Sequence, residues 1–220
     1  MKKEIVAVVP VKGNSERIKH KNTCSFHNTN LFELKLNQLK LVNGFTKVIV
    51  SSEDEDILTI ANNSGFEIHN RDPKYSTSNI PMSDVYSYIA SEISGEHIAW
   101  VNVTNPLVGS KIYEKAINEY NVMPVENDCL LSVFKVQDYL YYNNRPVNFK
   151  PFPWPRSQDL NGLCAISFAV SILKRKDLAD WGSLVGYNPY FFYLDKTAST
   201  DIDFQEDFDF CEMIYKKQNP

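Results

Sequence analysis

Much that would fix the nature of this 220-residue chain at a glance is missing from it. No apolar run approaches the roughly 18–20 residues needed to span a bilayer, so no membrane role is expected. Cysteine is scarce. Cys24, Cys129, Cys164 and Cys211 lie far apart with no CxxC pair, which points to buried or free thiols rather than a disulfide framework or zinc site. The histidines His20, His27, His69 and His97 show no ligand spacing, and no Ser-His-Asp arrangement can be argued from them. Basic residues are outnumbered 23 to 27, for a net charge of −4, which argues against a nucleic-acid partner. There are no internal repeats and no low-complexity tracts. The opening MKKEIVAVVP has a short apolar run before Pro10 and no small-residue cleavage site behind it. That predicts a first strand and a cytoplasmic protein rather than an export signal.

What is present suits a packed globular chain. Hydrophobic residues make up 43% and charged residues 23%, enough for a core and against disorder. The length fits one domain, residues 1–220. Ile5 to Val9 is an unbroken apolar run, as in a strand buried on both faces of a parallel sheet. Further strands are predicted at Lys47–Val50, Phe66–Ile68, His97–Val103, Leu130–Val136 and Ala165–Val170. Helices are predicted between them. One is capped by Asn30 with Glu33, one by Ser52 with Glu55 and stopped at Gly65, and two start near Ser83 and Ser110. The last starts near Asp203. Alternating strand and helix predicts an α/β fold, with a mostly parallel sheet covered on both faces. The rhythm breaks between about 137 and 160. Tyr139, Tyr141, Tyr142, Phe149, Phe152 and Trp154 crowd there among prolines, as in an arm, a lid or a subunit contact.

In open α/β sheets ligands sit at the carboxyl ends of the strands. The first such loop holds Lys12, Gly13, Ser15, Arg17, Lys19, Lys21 and Asn22. It is neither a Walker loop, lacking GKS or GKT, nor a GxGxxG turn. A turn that brings backbone N–H groups close, ringed by cations, suits a triphosphate; a solvated surface loop is the plain alternative.

This loop resembles the signature of the acylneuraminate and related sugar-acid cytidylyltransferases, roughly IPARxGSKRIPxKN. Pro10, Ser15, Arg17, Ile18, Lys21 and Asn22 match; Lys12 stands for the arginine, Asn14 for a glycine and Glu16 for a lysine. Later segments follow the family in order. Val50 to Ile57 resembles VSTDDEEI, and Asn70-Arg71-Asp72-Pro73 an arginine-containing segment. Asn102 to Val108 resembles QPTSPLR, with Val108 for the last arginine. Arg156 to Leu160 resembles RxQDL, and Thr200 to Phe208 the closing IDIDxxEDF.

The resemblance implies a Rossmann-like, nucleotide-diphospho-sugar transferase type of sheet with a small inserted arm, and an enzyme that moves CMP from CTP to an acidic keto-sugar. It implies Lys12, Gly13, Ser15, Arg17 and Asn22 around the nucleotide, and Lys21 with Asp201 and Asp203 at the chemistry. A homodimer paired through the arm is also implied. Asn102, with Thr104 on the same face of a strand end, is a candidate reader of the cytosine edge, or a loop-capping amide. Arg71 suits phosphate, ribose or a surface ion pair. Arg156, with Gln158, is the candidate for the sugar's carboxylate. Asp201 and Asp203 are two apart in an extended segment, so both carboxylates can face one Mg²⁺, which takes hard oxygen ligands. Asp203 with Glu206 also fits a helix cap. Glu53 to Asp56 reads as a helix first turn. The alternatives are another nucleotide or acceptor, or a non-catalytic nucleotide-sugar-binding protein on the same fold.

Overall fold

A computed structural model describes residues 2–15, 17–160 and 162–219. The elements run β1 (Ile5–Pro10), β2 (Ser25–Phe26), β3 (Thr29–Asn30), α1 (Leu31–Lys40), β4 (Lys47–Ser52), α2 (Glu55–Asn63), β5 (Glu67–Asn70) and α3 (Met82–Glu92). Then come β6 (His97–Val101), α4 (Ser110–Val122), β7 (Cys129–Lys135), β8 (Tyr141–Tyr142), β9 (Arg145–Pro146), β10 (Cys164–Lys174), α5 (Arg175–Trp181), β11 (Pro189–Tyr193) and α6 (Gln205–Gln218). Seven strands form one sheet in the order β11-β7-β10-β6-β1-β4-β5. Strands β5, β4, β1 and β6 are parallel, β11 runs parallel to β7, and β10 is antiparallel to both its neighbours.

The side-chain period of a strand sorts β1 onto two faces. Ile5, Ala7 and Val9 pack with Phe32 and Leu36 of α1, Ile57 of α2, and Tyr113 and Ile117 of α4. Val6 and Val8 pack with Val85 and Ile89 of α3 and Leu178 of α5. The sheet is therefore covered on both sides, as its apolar strands require. A third cluster joins distant segments: Ile18 from the loop after β1, Phe26 and Leu31, then Ile202, Phe208 and Cys211 near the C-terminus. Fully burying a side chain such as Ile202 is worth roughly 1.5–3 kcal/mol. This cluster seats the Asp201–Asp203 segment beside the basic loop.

Two helix starts differ from expectation. Asn30 caps α1, its side chain accepting from Glu33 N at 2.8 Å. At α2 the cap is Asp54, which accepts from Asp56 N and Ile57 N, and Ser52 instead accepts from Asp54 N. Either hydroxyl or carboxylate can serve, and the acid nearer the first turn won. At α6, Asp207 turns back to accept from the N–H groups of Asp203 and Phe204. Asp203 therefore does not cap the helix.

Residues 137–160 lie outside the central sheet. β8 and β9 form a small hairpin turned by Asn143 and Asn144 at φ 48° and 59°, the left-handed pair a tight two-residue turn requires. Tyr139, Tyr141, Phe149 and Trp154 pack their rings on one another, while Phe152 is 90% exposed. Among the described residues no helix is long and apolar enough to cross a membrane.

Candidate active site

At the carboxyl ends of β1 and β6 a cleft of about 580 Å³ opens. Lys12, Ser15, Arg17, Lys21 and Asn22 form one wall. Ser76, Thr77 and Ser78, after β5, form another, and Asn102 and Thr104, after β6, the floor.

The basic loop takes its shape from buried polar contacts. Asn22 donates through Nδ2 to Lys12 O at 3.0 Å and closes the loop on itself; its Oδ1 is buried without a partner. His20 takes φ 52°, and the chain turns there to bring Lys21 to the cleft. Glu53, expected to serve only a helix turn, is the anchor beneath. It accepts from Gly13 N at 3.0 Å, from Arg71 Nη2 at 2.6 Å and from Ser76 Oγ at 2.6 Å. Burial pushes its carboxyl up, but the bonds from Ser76, Arg71 and Gly13 outweigh it and hold the pKa below the usual carboxylate value. Arg71 is buried, and its Nη2 also donates to Val11 O at 2.6 Å. It supports the loop from behind rather than facing a ligand in the cleft. Gly13 is likewise outside the lining. A Cβ there would collide with Asp54, so its role is close packing rather than presenting N–H groups.

The acidic segment approaches from the other side. Ile202 N donates to Thr104 O at 2.9 Å, and Lys21 Nζ donates to Ile202 O at 2.5 Å. Arg17 pairs with Asp203 at 2.9 Å. Burial pushes the Asp201 carboxyl up; a hydrogen bond from Thr104 opposes this, the charge of Asp203 adds to it, and Lys21 and Arg17 pull it back. Burial lowers the Lys21 ammonium, with Asp201 and then Asp203 working against the shift. Asp201 Oδ1 is buried with no hydrogen-bond partner. A buried, unpartnered carboxylate oxygen two residues from a second carboxylate fits Mg²⁺, which needs only one or two carboxylates beside substrate oxygens. Neither aspartate lines the cleft itself; each is held by a residue that does, Asp203 by Arg17 and Asp201 by Thr104.

The structure redistributes the other expected roles. Asn102 lines the cleft, but its Nδ2 is committed to Phe168 O at 3.0 Å, so its oxygen is the group left to read a base. Thr104 holds Asp201. Val108 is fully buried and outside the cleft lining. Arg156 is outside the cleft lining and paired two ways with Asp159, at 2.7 and 3.0 Å; Gln158 is exposed on the same turn. Glu16 lies outside the described residues. The sequence reading missed Glu53 as an anchor, the Ser76–Ser78 wall, and a buried pair, Lys35 and Asn105. A signal existed for Lys35: it falls one turn from both Leu31 and Leu39 on the apolar face of α1.

Comparisons with known proteins bear on the family and the fold. A family profile described as "Cytidylyltransferase" matches residues 6–149. The post-translational flagellin modification protein B of Campylobacter coli is 22% identical, over 98% of this chain and 97% of the relative. A pseudaminic acid cytidylyltransferase of Campylobacter jejuni is 22% identical, over 96% of each. A solved CMP:2-keto-3-deoxy-manno-octonic acid synthetase complexed with CTP superposes with a TM-score of 0.71 at 12% identity, covering 98% of this chain and 99% of that one. At that identity the superposition speaks for the fold.

Proposed function

The chain belongs to the cytidylyltransferase family, and we propose that it transfers CMP from CTP to an acidic keto-sugar, sialic-acid-like or another ulosonic acid, with release of pyrophosphate. The observation that carries this reading is the meeting of a basic loop and two carboxylates at one cleft: Arg17 on Asp203, and Lys21 on the carbonyl between Asp201 and Asp203.

In this reading Lys12, Arg17 and Lys21 take the triphosphate, with Ser15 beside them. Asn22 Oδ1, buried and unpartnered, accepts a hydroxyl of the ribose. Asn102 Oδ1 accepts the exocyclic amine of cytosine, a donor that uracil lacks. When triphosphate arrives, Arg17 moves its charge from Asp203 to phosphate and frees that carboxylate. Asp201 and Asp203 would hold Mg²⁺, which when bound supplies charge neutralisation at the phosphates. The sugar hydroxyl attacks the α-phosphorus, the bond from that phosphorus to the oxygen bridging the β-phosphate breaks, pyrophosphate leaves, and the hydroxyl proton passes to solvent. Positioning and charge stabilisation, without a covalent enzyme intermediate, account for such a step. The sugar's carboxylate calls for a cation. Arg156 would meet that carboxylate only by leaving Asp159, and an exposed pair of that kind is worth about 0–1 kcal/mol, so the exchange is cheap.

The relative from Campylobacter jejuni named for pseudaminic acid, together with the family's chemistry, supports a sugar acid as acceptor. The exposed aromatic arm suits pairing with a second copy of the chain, since Phe152, Tyr142 and Trp154 stand largely in solvent. The cytoplasm, which holds the CTP pool, is the compartment this reading requires.

Pyrophosphate release with CTP, Mg²⁺ and a panel of sugar acids tests the reaction, and calorimetric titration with CTP, ATP and GTP tests the base. Release that depends on both CTP and a sugar acid is expected, with CTP bound tightest. No release with any sugar acid would remove the activity. Equal affinity for the three nucleotides would remove Asn102 as the base reader. Light scattering should show a dimer at micromolar concentration; a monomer would make the arm a lid on its own domain.

A further inference from the structure

Lys35 is fully buried on α1 and outside the cleft lining. Its Nζ contacts Asn105 O at 2.9 Å, Val108 O at 3.2 Å and Tyr113 Oη at 2.8 Å. One turn on, Gln38 donates through Nε2 to Pro106 O at 2.7 Å. Two side chains of α1 thus hold three carbonyls of the loop that follows Asn102 and Thr104. Asn105, also fully buried, passes the contact on. Its Nδ2 donates to Thr200 O at 3.1 Å, the residue before Asp201. Next to it, Thr104 O receives Ile202 N.

We infer that Lys35 and Asn105 are positioning residues that fix the Thr200–Asp203 segment against the end of β6, so that Asp201 is held beside Thr104 in the place where it can take a metal. The inference rests on the proposed function, since it takes Asp201 and Asp203 as metal-holding residues.

The chemistry around Lys35 suits a permanent strut. No carboxylate is among its contacts. Burial pushes its ammonium down to about 7, so both protonation states are populated near neutrality. Both are satisfied by the same three oxygens. The ammonium donates to all three. The neutral amine donates to the two carbonyls and accepts from the Tyr113 hydroxyl, whose pKa burial raises far above neutrality. The loop is held in place whichever state Lys35 adopts. Methionine would fill the space but leave the carbonyls of Asn105 and Val108 buried without their donor.

Mn²⁺ binding followed by its electron paramagnetic resonance, with and without CTP, tests this without reading activity. In Lys35→Met and in Asn105→Ala, Mn²⁺ affinity in the presence of CTP should fall about 10- to 100-fold, as when a partner that orients a metal ligand is lost. CTP affinity without metal should be unchanged. The double variant should lose no more than the worse single one, because both act through one chain of contacts. Leu36→Ala, a core variant on the same helix, should lower the melting temperature and leave Mn²⁺ affinity alone. Unchanged Mn²⁺ affinity in Asn105→Ala overturns the inference, even if Lys35→Met yields no folded protein. So do fully independent losses in the double variant, or an equal Mn²⁺ loss in Leu36→Ala. A wild-type chain that binds CTP but no Mn²⁺ overturns the metal reading itself, and this inference with it.

Discussion

The cleft and the arm both carry arginines that the sequence marks as functional, and they hold them in different ways. In the cleft, Arg17 reaches Asp203, and Lys21 reaches Ile202 across 181 positions of sequence. In the arm, Arg156 closes on Asp159 three residues along. A contact between segments so far apart exists only once the whole chain has folded, and here a shared apolar cluster with Ile18 and Ile202 holds it. A contact between residues three apart needs only a single 3₁₀ turn and, exposed, costs little to break. The difference says where a substitution should matter. The cleft charges are tied to the fold, whereas those of the arm are replaceable.

The largest expected effect is at Asp201. Asp201→Asn keeps an acceptor for Thr104 and removes the charge. Turnover should fall by about a thousandfold, since a metal's charge stabilisation is worth several kcal/mol, with the melting temperature nearly unchanged. Mg²⁺-dependent pyrophosphate release beside thermal melting checks it, and full activity at ordinary Mg²⁺ would dissolve the contrast with the arm.

Next comes Glu53. Glu53→Ala leaves the buried Arg71 with the Val11 carbonyl but without its carboxylate, and frees Gly13 N and Ser76 Oγ. Breaking a buried ion pair on one side costs about 3–5 kcal/mol, to be read by denaturant unfolding. The pH dependence follows from the same contacts. The folded-state pKa of Glu53 lies below its ordinary value of 4.5. Its contribution to stability is therefore complete above that value and is lost as pH falls through the lower folded pKa. Wild type should lose part of its stability across this acid window, and Glu53→Gln should lose less.

Lys21→Ala should weaken CTP by about ten- to a hundredfold, the roughly 1.5–3 kcal/mol of a charge-assisted bond. An unchanged dissociation constant by calorimetry would return Lys21 to a structural tether of Ile202. The smallest effect is at the arm. Arg156→Ala should change stability by about 0–1 kcal/mol and leave CTP affinity alone, while raising KM for the sugar acid. If KM does not move, Arg156 takes no part in the reaction.

How much of this was legible beforehand depends on the length scale of the cause. The β1 run, the Asn30 cap and the basic loop were readable because each is decided within a few residues. The Ser52 cap failed because the helix starts two residues later, with Asp54 accepting from Asp56 N and Ile57 N while Ser52 accepts from Asp54 N. The alternative cap at Asp203 did not form because the helix starts one residue later, with Phe204 at the cap position and the Asp203 carboxylate drawn to Arg17. Arg71 was read as a possible ligand contact or surface ion pair. Its burial on Glu53 depends on where β4 and β5 end relative to each other, which no local pattern states.

The sequence by itself determined that apolar strands alternate with amphipathic helices, that a cationic loop follows the first strand, and that two aspartates stand two apart near the end. These are periodicities and local spacings, and a chain carries them folded or not. Only the tertiary structure decided which groups meet. It reversed β10 within an otherwise mostly parallel sheet. It brought Asp203 to Arg17, turned Glu53 from a helix turn into an anchor, and placed Lys35 under the loop that leads to Asp201. The physical reason is burial. A polar group removed from water must find a partner wherever the fold has left one, and that partner is set by packing between distant segments rather than by neighbours in the chain.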